Sequence, residues 1–86
     1  MVKSIYSVRD NKIGTFAPPC LFDNDATAIR SFGDMVSHDK EGLVGLHPED
    51  FNLWLLGTID VSTGIITQNP ETMCIIAAAS DFKKEC

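Results

Sequence analysis

The sequence predicts an α+β fold: a small antiparallel sheet of two β-hairpins, one helix packed on one face, and a C-terminal helix or strand. Three observations predict it. Residues 2–16 and 51–67 each read as a strand, an Asp-led turn and a return strand. Residues 25–37 set apolar side chains at steps of three and four behind a helix start signal. Strand pairs flanking a single helix pack as a sheet covered on one side. With 86 residues there is one domain, 1–86, and 44% hydrophobic residues allow a thin core.

In chain order, residues 2–8 alternate, with Val2, Tyr6 and Val8 on one face and Ile5 on the other. Asp10, Asn11 and Lys12 are turn chemistry, since Asn and Asp tolerate positive φ. Residues 13–16 return, and Pro18 and Pro19 end the pairing because neither has an N–H to donate. Asp23, Asn24 and Asp25 then start a helix over 25–37, since a short polar acceptor caps free N–H groups and acidic side chains suit the positive helix end. Its stripe is Ala28, Ile29, Phe32, Met35 and Val36, with Arg30 and Asp34 facing solvent. Gly33 weakens the helix and leaves room for a strand to approach closely.

Residues 38–50 show neither period and read as a long loop in which Pro48 holds His47 extended. Residues 51–60 are the strongest strand. The odd positions Phe51, Leu53, Leu55 and Ile59 suit the helix stripe, and the even positions carry Trp54 and Leu56. Gly64 closes the second hairpin and residues 65–67 return. For 71–82 two readings stand. Asn69, Pro70 and Glu71 resemble a helix start, and the alanines at 77–79 favour helix slightly, whereas Met73, Cys74, Ile75 and Ile76 have strand character. No repeat is evident in the sequence.

Seven Lys and Arg against twelve Asp and Glu give a net charge of −5, with the basic residues scattered. A nucleic-acid binder neutralises phosphates with a basic stripe, so binding to nucleic acid or to an anionic membrane is disfavoured. No apolar run approaches the length of a membrane span, and no signal-peptide pattern opens the chain. The cysteines Cys20, Cys74 and Cys86 form neither a CxxC nor a zinc spacing. They read as free thiols in a reducing compartment, with Cys20 and Cys74 packed as small hydrophobes.

His38 and His47 lack ligand partners at fixed spacing, and the neighbours Glu49 and Asp50 point in different directions. No GxSxG, GxxxxGK[ST] or GxGxxG motif is present. The expectation is no catalytic residue, no cofactor and no metal.

Several segments occur in order: Ile5, Tyr6, Ser7, Val8 and Asp10; Asp25, then Ala28 to Phe32, and Asp34; His47, Pro48, Glu49, Asp50 and Phe51 with Leu53 and Trp54; then Gly57, Asp60, Thr63 and Gly64. In these segments, spanning about residues 4–66, the chain resembles the small nonstructural protein of gokushoviruses, single-stranded DNA phages of the Microviridae. The resemblance implies a protein outside the capsid set. It also implies an analogy, through gene complement, to the microvirus C protein, which acts at the switch from duplex replication to single-strand synthesis and packaging. It carries over no catalytic residues.

A non-enzymatic adaptor in the host bacterial cytoplasm is therefore expected, binding a phage replication or packaging protein. The alternatives are a direct single-stranded DNA binder and a modulator of a host protein. The candidate interface is Trp54 and Leu56 with His47, Pro48, Glu49 and Asp50. A tryptophan has ~150–250 Å² to hide. If 71–82 is helix, that helix can cover Trp54; if it is strand, the face stays open for a homodimer or a partner.

Overall fold

Alternation along residues 2–10 makes one long extended segment, and its neighbours are set by what can pair with it. A computed structural model describes residues 1–39 and 42–82. In order it forms β1 (Val2–Asp10), β2 (Thr15–Phe16), β3 (Cys20–Phe22), α1 (Asp25–His38) and α2 (Leu43–Leu46). A 3-10 turn (Pro48–Asp50), β4 (Phe51–Asp60), β5 (Ile65–Thr67), β6 (Cys74–Ala78) and a second 3-10 turn (Ala79–Asp81) complete the order.

The fold is α+β, with an antiparallel open sheet and one main helix. β1 and β4 pair along their full length, from Val2 opposite Asp60 to Asp10 opposite Phe51. β2 and β3 run in series along the outer side of β1. β5 and β6 run in series along the outer side of β4. The sheet thus has six strands in four columns, not four strands. The prolines account for the difference: Pro18 and Pro19 interrupt one outer column and Pro70 the other, and pairing resumes beyond each break.

The two hairpins use the same turn. Asp10 O accepts from Gly14 N at 2.8 Å, and Asp60 O from Gly64 N at 2.7 Å. The carboxylates Asp10 Oδ1 and Asp60 Oδ1 accept from Lys12 N and Ser62 N, each at 2.9 Å. Gly14 and Gly64 take φ of 76° and 78°; no other described residue has positive φ, so Gly14 takes the conformation expected of Asp or Asn. β1–turn–β2–β3 and β4–turn–β5–β6 are therefore one device used twice about an approximate two-fold axis between β1 and β4. The sequence hides this repeat, since little beyond Asp and Gly is shared.

α1 begins as expected, with Asn24 Oδ1 accepting from Thr27 N at 2.8 Å and Asp25 in the first turn. It buries Ala28, Phe32, Gly33 and Val36 against Tyr6, Phe51 and Leu53, while Met35, at 42% exposure, sits at the edge of the stripe and lines clefts between α1 and β1. A Cβ on Gly33 would lie 2.7 Å from the Phe82 ring, which meets Phe32 edge-on at 5.9 Å. The close neighbour at Gly33 is thus a ring and not the strand expected, because Phe82 follows the second 3-10 turn and fills the space. Residues 38–50 are shorter of loop than expected, because α2 and the first 3-10 turn fit inside them.

Of the two readings of residues 71–82 the strand holds, over Cys74–Ala78, and two other expectations, for Ile59 and for the cysteines, change. Asn69 turns the chain, its Oδ1 accepting from Glu71 N at 3.0 Å and its carbonyl from Thr72 N at 2.9 Å. β6 then pairs with β4. An open strand edge and β-branched Ile75 and Ile76 outweigh the helix propensity of three alanines. In β4, Leu56 is an extra residue, since Tyr6 lies opposite Leu55 and Ile5 opposite Gly57. A one-residue bulge reverses the alternation beyond it, so Ile59 lies opposite Lys3 on the face away from α1. Cys20 and Cys74 are exposed at the sheet margins rather than packed; Cys86 lies outside the described residues.

Candidate functional site

The candidate interface residues fall into two places. Pro48, with its φ fixed, starts the short 3-10 turn that feeds β4. Asp50 N donates to His47 O at 3.0 Å, and Asp50 O accepts from Asn11 N at 2.8 Å, tying this turn to the first hairpin. His47 Nδ1 and Glu49 Oε1 lie 3.9 Å apart and both side chains are exposed. One ligand-type atom each from His47, Glu49 and Asp50 fall within 4.8 Å of one another, so Glu49 and Asp50 converge more than adjacency suggested. Exposed acidic groups so arranged are common without an ion. Beside them runs a cleft of about 340 Å³ lined by Ile13, Leu43, His47, Asp50 and Phe51, with Lys12 at its rim.

Trp54 and Leu56 belong elsewhere, to the sheet. Tyr6, Val8, Leu53 and Leu55 face α1. By the same register Ile5, Trp54 and Ile59 occupy the other face, with Leu21 beside Ile5, Phe16 beside Arg9, Ile66 beside Ile59 and Ile75 beside Trp54. No described helix lies on this face. Phe16, Leu21, Ile66 and Ile75 are 39%, 46%, 63% and 50% exposed. Trp54 is half-buried; Phe16 meets it edge-on at 5.7 Å, and the Arg9 guanidinium stacks over Phe16 at 5.0 Å. The Trp54 Nε1 is buried and lacks a hydrogen-bond partner among the described residues. Leu56, the extra residue of the bulge, is half-buried.

Sequence reasoning finds Trp54 but misses Phe16, Leu21, Ile66 and Ile75. Phe16 and Ile66 sit on return strands whose facing the local pattern does not set. Leu21 and Ile75 come after proline breaks, where the sequence reads as an end of pairing or a helix start. The usable signal is a short β-prone run after each break.

One perturbed group is internal. Tyr6 is fully buried, and its hydroxyl donates to Asp25 Oδ1 at 2.6 Å. Burial, and next the bond to Asp25, push the phenol up to about 12. It stays protonated at neutral pH and ties β1 to the first turn of α1.

Among the described residues, no helix is long and apolar enough to cross a membrane. The chain matches the family described as Phage ORF5 protein over residues 3–82, and it belongs to that family. No curated protein and no solved structure matches it.

Proposed function

We propose that this member of the Phage ORF5 protein family is a non-enzymatic nonstructural protein of a gokushovirus. It acts as an adaptor in phage DNA replication, or in single-strand synthesis and packaging, in the cytoplasm of the host bacterium. The observation that carries this reading is the open apolar sheet face around Trp54. Exposed aliphatic and aromatic side chains on one contiguous face suit a protein contact. The cleft beside His47–Asp50 offers a second, separate surface on the same molecule.

The test is affinity capture from phage-infected cells with tagged chain. A phage replication or packaging protein should be retained, and lost when Ile75→Glu charges the face. Retention of a host protein instead would replace this reading with a host-directed modulator.

A second reading has its own observation. Arg9 over Phe16, beside Trp54, interleaves a cation with aromatic rings, as single-strand binders do. Against it stands the net charge of −5. Fluorescence anisotropy with a labelled oligonucleotide at physiological salt decides, and binding at about micromolar affinity or tighter would establish it.

A further inference from the structure

We infer that the open sheet face is covered by the same face of a second copy of this chain, giving a dimer of stacked sheets with the α1 helices outside. The inference rests on the reading of that face as a protein contact and names its occupant; with the face covered, the dimer presents the cleft beside His47–Asp50 to the phage protein, and Ile75→Glu acts on capture through the dimer.

The face has the size a dimer needs. β4 has 10 residues, so it runs ~33 Å at the usual rise, and four columns span ~19 Å. One face is therefore ~600 Å², before counting side-chain relief. Two copies would bury ~1,200 Å², the lower bound of specific, stable interfaces and above most lattice contacts.

Its charge permits self-association. Two chains of −5 repel, yet no carboxylate occupies a strand position on this face. Its charged residues are Lys3, bonded to Asp23 at 2.5 Å, and Arg9, stacked on Phe16. Asp23, just beyond the end of β3, reaches this face through its ion pair with Lys3, which offsets its charge.

Its pattern is self-complementary, as a two-fold interface requires. The repeated hairpin device sets Phe16 against Ile66 and Leu21 against Ile75 at equivalent places on either side of the centre, with Ile5 and Trp54 between them. Apolar side chains thus reach both halves of the face. The outer columns are unsuited to pairing with another sheet, because Pro18–Pro19 and Pro70 break them. Face-to-face stacking remains as the mode of association.

Sedimentation velocity of the purified full chain, from about 1 to 100 µM, tests this. The expected mass is twice 9.4 kDa. Ile66→Glu and Ile75→Glu change side chains already exposed in one copy, so each should stay folded by circular dichroism. Each should weaken the dimer at least about tenfold, the cost of burying an unpaired charge. A folded monomer throughout the range, or a dimer untouched by both substitutions, overturns the inference. A monomer that captures a phage protein through this face overturns the dimer alone. A monomer that binds the oligonucleotide through it overturns dimer and adaptor together. A dimer that captures no phage protein supports the dimer and sinks the adaptor.

Discussion

The two halves of the molecule share a plan and differ in the element attached at its end. Each runs as a long strand, a turn from Asp to Gly with matching hydrogen bonds, a short return strand, a proline break and a second short strand. After β3 the first half adds a capped helix of 14 residues that buries Phe32 and Val36. After β6 the second half adds, among the described residues, only a 3-10 turn. The helix gives one side of the sheet a core, and no comparable element covers the other side among the described residues. An almost symmetric sheet thus becomes a one-sided domain through a single asymmetric addition.

The largest test of this comparison is removal of the ring that the first half alone supplies. Phe32→Ala should cost about 3–5 kcal/mol, as expected for an aromatic deleted from a packed core. Ile65→Ala in the second half, at 63% exposure, should change stability by less than about 0.5 kcal/mol. Urea denaturation of both variants checks the contrast, and comparable losses would break it.

The next test concerns the bond that ties the helix to the sheet. Tyr6 ionises near 10 when unfolded and at about 12 in the fold. The unfolded chain therefore gives up this proton first. The contribution is complete below about pH 10 and is lost as pH rises through 12, roughly 2–3 kcal/mol in all. Tyr6→Phe should remove that alkaline slope and cost about 1–2 kcal/mol at neutral pH. Stability measured against pH for both proteins reads both effects.

The equivalence of the turns can be sharpened directly. Gly14→Ala and Gly64→Ala each force an L side chain into positive φ and should each cost about 1–2 kcal/mol. A Cβ at Gly64 meets open space, and one at Gly14 only an ordinary 3.7 Å contact with Arg9, so backbone strain dominates both. Thermal melts differing greatly between the two would show that the turns are not alike. The smallest effect belongs to the cap: Asn24→Ala should cost about 1 kcal/mol.

Local signals are legible in the sequence. The Asn24 cap, the α1 stripe, the alternation of β1 and the Gly64 turn are each written in a few neighbouring residues, and each stands in the structure, with Met35 at the exposed edge of the stripe. The features that sequence misses depend on distant partners. The strand reading of β6 prevails over the helix reading because β4 offers it an edge, which no window around residue 75 contains. Ile59 changes face because Leu56 is left over opposite β1. Cys20 and Cys74 look buried by their neighbours, yet each is exposed at the start of a short outer strand. In the candidate interface, Trp54 is legible from its parity, whereas the apolar neighbours supplied by β3 and β6 require the pairing to be known.

The central pairing also has a kinetic consequence. Val2 meets Asp60 across most of the chain, so the innermost hydrogen bonds are among the least local. During synthesis the first half can close its hairpin and start α1, but Phe51 and Leu53, which complete the core, come later. Until then Tyr6 and Phe32 lack their backing, and the nascent segment depends on not aggregating. Sheets dominated by such distant pairs fold in roughly milliseconds to seconds, far slower than helical chains of this size. Stopped-flow refolding, monitored by Trp54 fluorescence, should fall in that range, and a separately made 1–39 fragment should remain unfolded.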